Sequence, residues 1–315
     1  MKRALIATVY NEAAGIPAWA AALRAQSVHP DEFAIVDGGS TDGTPDLLRR
    51  EFGADGFPQP KIIVQRCNIA AGRNAAIRLT SADIIAVNDA GSFPEPSWFE
   101  EITRPLLADE KLDVVGGRSL PMVQNDFQKL LLQMDPESPE PVSPDEIYPS
   151  SRNIAFLRQA WADVGGYPEW LTLTAEDALF DFALHKIGKM FFYNRDALVR
   201  WPVRENAGDY CRMLYSYGYG AAEARLYTPY FLRCLAIAIF PPLLFLSRHR
   251  LQQVKHRYRK NLASASGWLV GWLKGRRPPL DWKRVDGVLL SPEAQKHLWG
   301  SCERGNIYRD STAAK

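Results

Sequence analysis

The sequence has few cysteines, and their arrangement suits neither a metal site nor a disulfide framework. Only four occur in 315 residues, and none forms a Cys-x-x-Cys pair. The five histidines show no spacing that would complete a zinc site with them. Isolated cysteines of this kind are typical of reduced thiols in a cytosolic protein. The four are Cys67, Cys211, Cys234 and Cys302.

The sequence also lacks a long, uninterrupted hydrophobic run. The first apolar run, residues 4–9, ends at Tyr10-Asn11-Glu12 and is too short for the core of a signal peptide. A later run, residues 230–246, contains Pro241-Pro242 and is shorter than the roughly 20 residues that a spanning helix needs. We therefore expect the amino-terminal part of the chain to remain in the cytoplasm.

Two glycine-rich phosphate-binding signatures are missing as well. No Gly-x-Gly-x-x-Gly follows the first apolar run, which disfavours an NAD-binding Rossmann domain. The stretch Tyr10-Asn11-Glu12-Ala13-Ala14-Gly15 contains no lysine, whereas a nucleotidyltransferase needs a glycine-rich, lysine-bearing loop near this point. A nucleotidyltransferase is therefore the less favoured enzyme class.

What the sequence does contain is a regular alternation of predicted strands and helices. Short apolar runs predict buried strands at residues 4–9, 33–36, 62–65, 84–87, 112–117 and 190–193. Helical patterns occur at residues 16–25, 46–52, 71–79, 155–164 and 178–187. This order predicts an α/β fold with a mostly parallel, doubly wound (Rossmann-like) sheet flanked by helices. Ligands bind such sheets at the carboxyl ends of the strands.

Charge is distributed unevenly between two parts of the chain. Residues 229–315 contain 16 Lys and Arg against 5 Asp and Glu, a net charge of +11, which leaves −9 for residues 1–228. We therefore expect a catalytic domain over 1–228 and a basic, helical extension over 229–315. A basic segment can bind nucleic acid or an anionic membrane. Nothing in the sequence resembles a nucleic-acid-reading module, so we disfavour nucleic acid as a partner.

The extension combines basic and apolar stretches. Residues 247–260 contain six Lys and Arg and two His, and residues 262–273 are apolar with Trp268 and Trp272. Apolar faces combined with basic side chains and tryptophan are typical of a helix that lies on an anionic membrane surface. The alternative is a helical subdomain that packs on the catalytic part. The first interpretation predicts a peripheral protein on the inner face of the cell membrane.

Polar motifs follow the predicted elements in a recognisable order. They are Tyr10-Asn11-Glu12, the Asp37-Gly38-Gly39-Ser40 segment that continues to Thr44, Ala71-Gly72-Arg73-Asn74, Asn88-Asp89-Ala90-Gly91, the stretch from Arg152 to Pro168, and Glu176-Asp177. Together they resemble glycosyltransferase family 2, the inverting enzymes with a GT-A fold. The resemblance covers about residues 2–219 and implies a nucleotide-sugar-dependent glycosyltransferase.

The resemblance implies a donor site at the ends of the first strands. Asp37 would accept a hydrogen bond from the nucleotide base, and Thr8 and Glu12 would seat the uridine-like half of the donor. Arg73 would contact the nucleotide or its diphosphate. By themselves these residues have simpler interpretations, because Asp-Gly-Gly-Ser forms a good turn and an arginine on a helix is usually solvated.

The resemblance also implies a divalent cation, Mn²⁺ or Mg²⁺, bound at Asp89. Such a cation neutralises charge on the leaving diphosphate and prefers carboxylate oxygens. The family usually has Asp-x-Asp here, whereas this chain has Asp89-Ala90-Gly91. Either Asp89 holds the cation with water, the donor phosphates and a side chain from elsewhere, or cations such as Arg73 and Arg212 replace part of its function.

In the family, the aspartate of the Glu-Asp pair is the general base, which implies this function for Asp177. Acidic residues in the first turn of a helix also complement its dipole, so Glu176-Asp177 has a structural alternative. Processive members carry Gln-x-x-Arg-Trp, and of this motif only Arg212 is present. We therefore expect transfer of one sugar, from a UDP-sugar or similar donor to a lipid-linked or cell-surface glycan. A non-catalytic, sugar-nucleotide-binding relative is the alternative.

Overall fold

The structure is a computed structural model that describes residues 1–53, 57–134, 141, 143–241 and 251–277. The chain divides into two compact units, which do not follow a single cut in the sequence. The first contains Met1–Met122, Pro141–Glu169 and Glu176–Pro202; the second contains Val123–Glu140, Trp170–Ala175 and Val203–Lys315. The predicted domain boundary between residues 228 and 229 stays a prediction.

The first unit is built on one sheet, in which the described residues form eight strands. In chain order they are β1 Arg3–Val9, β2 Glu32–Asp37, β3 Lys61–Val64, β4 Ile84–Val87, β5 Phe93–Pro94, β6 Val114–Met122, β7 Ile154–Leu157 and β8 Phe191–Pro202. The order across the sheet is β3-β2-β1-β4-β7-β6-β8-β5. Strands β3, β2, β1 and β4 are parallel, and β7 is antiparallel to both of its neighbours. The predicted α/β class with a mostly parallel sheet is confirmed.

Ten α-helices lie within the described residues. They are α1 Ile16–Arg24, α2 Thr44–Phe52, α3 Ile69–Arg78, α4 Trp98–Ala108, α5 Asp126–Met134, α6 Arg158–Asp163, α7 Glu176–Lys186, α8 Ala207–Glu223, α9 Thr228–Ile239 and α10 Leu251–Lys274. Within these residues no helix combines the length and hydropathy that crossing a membrane requires. The rest of the predicted basic extension, residues 242–250 and 278–315, lies outside the described residues.

The sheet of the first unit is covered on both faces, as the alternation of side chains along β1 shows. Leu5 and Ala7 join a buried cluster with residues of α1, α2 and α4. Ala4 and Ile6 join a second cluster with residues of α3, α6 and α7. Because side chains alternate between the faces of a strand, Thr8 belongs on the same face as Ile6, the face that α3 covers. The core therefore determines which helix the polar end of β1 adjoins.

One prediction of secondary structure was wrong. The sequence pattern predicts a single helix over residues 155–164, but residues 154–157 form the central strand β7 and the helix α6 begins only at Arg158. A short, continuous apolar run fits a buried strand as well as a helix, and periodicity does not distinguish them. Pairing of β7 with β4 and β6 decides the outcome, and these partners are far away in sequence.

The second unit contains a helix pair, α8 and α10, whose backbones approach each other closely. A Cβ atom added to Gly218 of α8 would overlap the backbone of Ser264 in α10, and one added to Gly267 would overlap the backbone of Tyr215. Only glycine permits this distance between the helices. The close contact buries one face of α10 and leaves its other face to solvent.

Candidate active site

Asp37 lies at the carboxyl end of β2 and is fully buried. Its Oδ1 atom accepts the backbone N–H groups of Gly39 and Ser40 at 2.9 and 2.7 Å. Its Oδ2 atom is buried and has no hydrogen-bond partner among the described residues. One oxygen thus shapes the turn that the sequence suggested, and the other retains its capacity to accept a hydrogen bond. A buried acceptor of this kind is rare in native proteins and is a feature of ligand sites.

Thr8 lies next to this turn, near the end of the neighbouring strand β1. Its Oγ1 atom is also buried and has no hydrogen-bond partner within the described part of the chain. The methyl group of Thr8 lies against α3: a Cβ atom on Gly72 would be 2.9 Å from Thr8 Cγ2, closer than side chains approach. Glycine at position 72 therefore lets α3 pack directly on β1, which also determines the place of the next residue, Arg73.

The loop after β1 is tied to the segment after β2 by several hydrogen bonds, among them one from Ala13 N to Asp42 Oδ2 at 3.0 Å. Asn11 N donates to Ser40 Oγ at 2.8 Å, and Thr41 N donates to Asn11 Oδ1 at 2.9 Å. Glu12 N donates to Thr44 Oγ1 at 3.0 Å. Asn11 has a φ of 52°, in the left-handed region that asparagine tolerates better than most residues. The two loops therefore form one scaffold at the ends of β1 and β2.

Arg73 is buried and pairs with two carboxylates from distant parts of the sequence. Its Nη1 atom lies 2.5 Å from Glu176 Oε1, and its Nη2 atom lies 2.9 and 3.2 Å from the two carboxyl oxygens of Asp89. Burial acts to lower the pKa of Arg73, but Asp89 and Glu176 outweigh it and raise that pKa above its ordinary value. The charged guanidinium thus connects the end of β4 to the start of α7. The contact of Arg73 with the donor stays a prediction.

Glu176 and Asp177 are adjacent in sequence but have different surroundings. Burial, reinforced by the charge of Asp177, raises the pKa of Glu176 above its ordinary value, although Arg73 acts in the opposite direction. Asp177 is partly exposed, and its Oδ1 atom accepts the backbone N–H of Ala178 at 2.8 Å. Two neighbouring carboxyl groups in different environments suit different functions. Glu176 binds Arg73, whereas Asp177 remains partly exposed.

A third acid on α7, Asp181, was missed by the sequence analysis. It is fully buried, and its Oδ1 atom has no hydrogen-bond partner among the described residues. Burial and the charge of Asp177 raise the pKa of Asp181 well above its ordinary value, against the effect of Arg73. Its separation of four residues from Asp177 places both on one face of the helix, and that spacing could have identified it.

Asn74 connects α3 to the segment that precedes α7. Its Nδ2 atom donates to the carbonyl oxygen of Tyr167 at 2.9 Å and to Glu169 Oε1 at 2.8 Å. Its Oδ1 atom accepts from the Trp161 indole and from Tyr167 N, both at 2.9 Å. These four bonds use the full hydrogen-bonding capacity of a buried amide. In the Arg73-Asn74 pair of the sequence motif, Arg73 therefore forms ion pairs, whereas Asn74 joins two segments of the chain by hydrogen bonds.

The turn from Asp89 to Gly91 presents one carboxylate of its own and lies beside a second. Ser92 closes the turn, since its N–H and hydroxyl donate to the carbonyl oxygen of Asp89 at 3.1 and 2.6 Å. The carboxylate of Glu12 lies against Gly91, with Oε2 3.4 Å from the position of a Cβ atom there. Over the residues that the structure describes, no three His, Cys, Asp or Glu side chains form a group that could hold a metal ion.

Seven of the eight predicted site residues belong to the first unit, and direct ion pairs join three of them, Arg73, Asp89 and Glu176. The eighth, Arg212, lies on α8 in the second unit. Its side chain is exposed and pairs with Asp209, one turn earlier on the same helix. The described contacts of Arg212 are thus local to α8.

Solved glycosyltransferase structures share this fold. The mannosyltransferase PcManGT from Pyrobaculum calidifontis, solved with GDP-Man and Mn²⁺, is similar over 98% of this chain and 88% of its own, with a TM-score of 0.55 and 17% identity. TarS from S. aureus is similar over 97% of this chain and 48% of its own, with a TM-score of 0.50 and 15% identity. This chain thus spans about half the length of TarS. Both similarities concern the fold, which is of the GT-A type as predicted.

The sequence itself identifies the family. Comparison with curated proteins gives no match. The model of the family described as glycosyl transferase family 2 matches residues 4–200, which include seven of the eight predicted site residues and most of the chain. The chain therefore belongs to glycosyl transferase family 2 and is a glycosyltransferase, as the motifs predicted.

Proposed function

We propose that this protein transfers a single sugar from a nucleotide-diphosphate-sugar, a UDP-sugar in the first instance, to a hydroxyl group of a lipid-linked or cell-surface glycan, with inversion. The observation that carries the proposal is a pair of buried oxygen atoms at adjacent strand ends, Asp37 Oδ2 and Thr8 Oγ1, which have no hydrogen-bond partner among the described residues. They belong to the same unit as the carboxylates of Asp89 and Asp177. In this proposal, the first pair would hold the donor and Asp177 would act as the base.

Asp37 suits a nucleotide base that donates a hydrogen bond. A carboxylate oxygen only accepts, and uracil and guanine each offer a ring N–H, so either base would satisfy Oδ2. The hydroxyl group of Thr8 both donates and accepts, and would bond to a carbonyl oxygen of the base or to the ribose. The similar mannosyltransferase contains GDP-Man. A GDP-sugar is therefore the second donor to test.

Asp177 is the proposed general base. It would remove the proton of the acceptor hydroxyl while the oxygen of that hydroxyl attacks the anomeric carbon and the bond from this carbon to the diphosphate breaks. A carboxylate suits proton removal that accompanies bond formation. Arg73 supports the arrangement, because it holds Glu176, the neighbour of Asp177, at 2.5 Å. Glu176 is thus a positioning residue in this proposal, and Asp177 is the residue that contacts the acceptor.

The residues near Asp89 fit a divalent cation. Mg²⁺ is commonly bound through one or two carboxylates together with substrate phosphates, rather than by an all-protein cage. Asp89 is partly exposed, and the carboxylate of Glu12 lies at the same turn. When bound, Mn²⁺ or Mg²⁺ would neutralise charge on the leaving diphosphate. Arg73 keeps the carboxyl group of Asp89 in one orientation through Nη2.

A membrane-bound acceptor is supported by the exposed face of α10. Basic and then apolar side chains lie along this face at intervals of three, four or seven residues, namely Lys255, Arg259, Leu262, Leu269 and Leu273, and each is exposed. Such a stripe suits a helix lying on anionic lipid, with its basic end at the headgroups. We therefore propose peripheral attachment to the inner face of the cell membrane. A helical subdomain without lipid contact is the alternative.

Flotation with vesicles that contain anionic lipid tests the attachment. The double variant Leu269→Asp/Leu273→Asp is expected to remain at the bottom of the gradient while the wild type floats. Leu107→Asp, which changes an exposed leucine of α4, is the matched control and should float like the wild type. Attachment through α10 would be refuted if the wild type did not float, or if Leu269→Asp/Leu273→Asp floated as well as Leu107→Asp.

Nucleotide release tests the catalytic proposal. A thermal-shift screen of UDP- and GDP-sugars identifies the donor through the stabilisation that binding gives the folded chain. Release of UDP or GDP from that donor is then measured with and without Mn²⁺. A glycosyltransferase hydrolyses its donor slowly without an acceptor, whereas a non-catalytic binder releases no nucleotide. Release of pyrophosphate from a sugar phosphate and a nucleoside triphosphate would instead indicate a nucleotidyltransferase.

A further inference from the structure

We propose that Glu223, the last residue of α8, is a positioning residue for Asp177. It acts through a short segment of the second unit, Trp170–Ala175, which runs directly into α7. The proposal rests on the proposed function, because it takes Asp177 as the general base. Glu223 lies outside residues 4–200, the part of the chain that the family model matches, so the motifs give no reason to expect it.

Glu223 is buried, and its carboxyl group binds the segment at Thr172. Its Oε2 atom accepts the backbone N–H of Thr172 at 2.8 Å, and its Oε1 atom accepts the hydroxyl group of Thr172 at 2.7 Å. Oε1 also accepts the backbone N–H of Arg276, just after α10, at 2.7 Å. Hydrogen bonds to a carboxylate are stronger than those between neutral groups. One side chain thus ties the segment to α8 and to the end of α10.

The same face of α8 binds the segment at a second point, Thr174. The hydroxyl group of Thr174 donates to the carbonyl oxygen of Ser216 at 2.8 Å. A Cβ atom on Gly220 would overlap the carbonyl group of Thr174, so glycine lets the segment lie directly on the helix. Ser216, Gly220 and Glu223 are spaced by four and three residues, which places them on one face of α8. The segment is therefore bound along that face through both of its threonines.

Ala175, the last residue of the segment, has a backbone conformation that needs support. Its φ is 78°, a left-handed value that alanine adopts only at a cost in free energy. Such a conformation persists where the contacts around it fix the backbone. Thr174 is fixed on one side of it, and Glu176 is held by Arg73 at 2.5 Å on the other. The direction in which the chain enters α7 therefore depends on the bonds of the segment to α8.

Asp177 is the second residue of α7, two positions after Ala175. Loss of the Glu223 bonds would release the segment and let Ala175 relax, which would change the start of α7 and displace the carboxylate of Asp177. A displacement of about 1 Å costs about 100-fold in rate when it moves a catalytic group. The proposed donor contacts at Thr8 and Asp37 lie on other elements, so the affinity for the nucleotide should not change.

The test is nucleotide release by the full chain at a saturating concentration of the UDP- or GDP-sugar that the thermal-shift screen identifies, with water in place of the acceptor hydroxyl. Glu223→Gln is expected to lower the rate per folded molecule about 10- to 100-fold, with the folded fraction measured by circular dichroism. Its affinity for UDP or GDP should remain that of the wild type. Added to Asp177→Asn, Glu223→Gln should lower the rate no further, because changes that act through one residue are not additive. Added to Asp37→Asn, it should have its full effect.

Gln128→Met is the matched control for damage to the second unit. Gln128 is also buried and accepts two backbone N–H groups, but these belong to Gln124 and Asn125 and not to the segment. This variant should release nucleotide like the wild type. Thr172→Val leaves Glu223 itself intact, and it decides the case if Glu223→Gln does not fold. Its rate should fall, whereas Thr172→Ser, which retains the hydroxyl group, should keep the wild-type rate.

Full additivity of Glu223→Gln and Asp177→Asn would overturn the assignment of Glu223. An equal loss in Gln128→Met, or equal rates in the two Thr172 variants, would overturn it too, because the effect would then be one of general stability. Weaker binding of UDP or GDP by Glu223→Gln would have the same consequence. A wild-type chain that releases no nucleotide from any UDP- or GDP-sugar would instead overturn the proposed function, and undiminished release by Asp177→Asn would overturn the general base.

Discussion

Replacing Arg73 by methionine removes the charge that two carboxylates share. Of these, Glu176 is the more deeply buried, with 7% of its side chain exposed against 27% for Asp89. Removing one partner of a buried ion pair destabilises a protein by about 3–5 kcal/mol, because the remaining charge is left in a poor solvent. The Asp89 end contributes little to this figure, since water screens a partly exposed charge. We therefore expect Arg73→Met to lower the free energy of unfolding by about 3–5 kcal/mol, mostly through Glu176.

Urea denaturation followed by tryptophan fluorescence measures this effect. The double variant Arg73→Met/Glu176→Gln should regain more than half of the lost stability, because glutamine leaves no charge buried. Arg73→Met/Asp89→Asn should regain much less. The deficit of Arg73→Met should also be smaller near pH 5 than near pH 8. Without Arg73 the pKa of Glu176 rises further, so the folded variant is favoured while Glu176 is protonated and loses stability as pH rises.

Equal recovery by the two double variants would refute the account of Arg73, because it would mean that burial does not distinguish the two carboxylates. A loss below about 1 kcal/mol in Arg73→Met would refute it as well, since that is the range of an exposed ion pair. Arg73→Lys is the control that retains the charge without the second nitrogen. It should lose less stability than Arg73→Met.

Three further predictions concern other parts of the first unit. Burial lowers the pKa of His185 below its ordinary value, so as pH falls the unfolded chain takes up a proton before the folded chain does, and the folded state loses stability. The wild-type urea midpoint should therefore decrease between about pH 7.5 and 5.5, and His185→Gln should make this decrease smaller. A Cβ atom on Gly117 would overlap Asn153 and Ala197, so Gly117→Ala should lower the free energy of unfolding by about 1–3 kcal/mol, again measured in urea. Asp37→Asn should weaken UDP or GDP binding about 10- to 100-fold by calorimetry, as expected for losing a charged hydrogen-bond acceptor.

The sequence was sufficient to predict the parallel half of the sheet and its polar edge. Strands β1, β2 and β4 are short apolar runs that end at polar motifs, and both features are local. The polar ends of parallel strands meet at one edge, so Thr8 and Asp37 could be expected together. The family resemblance then supplied the functions predicted for them, as well as those predicted for Asp89 and Asp177; these functions stay predictions.

The rest depends on contacts between distant residues, which no local pattern contains. Arg73 is separated by 103 positions from Glu176, so its double pairing could not be read from the helix that carries it. The proximity of the Glu12 carboxylate to Gly91 also joins two segments that are far apart in the sequence. Strand β7 was mistaken for helix because its antiparallel neighbours, not its own composition, make it a strand.

The central claim is that Asp177 removes the acceptor proton and does not hold the donor. Asp177→Asn keeps the size of the side chain and its bond to Ala178 N, and removes the base. The decisive measurement is the dissociation constant of the donor together with the rate of sugar transfer in this one variant. The account predicts a dissociation constant within about twofold of the wild type and a rate lower by about 10²- to 10⁴-fold, the usual effect of losing a general base. Undiminished transfer, or loss of donor binding, would contradict it.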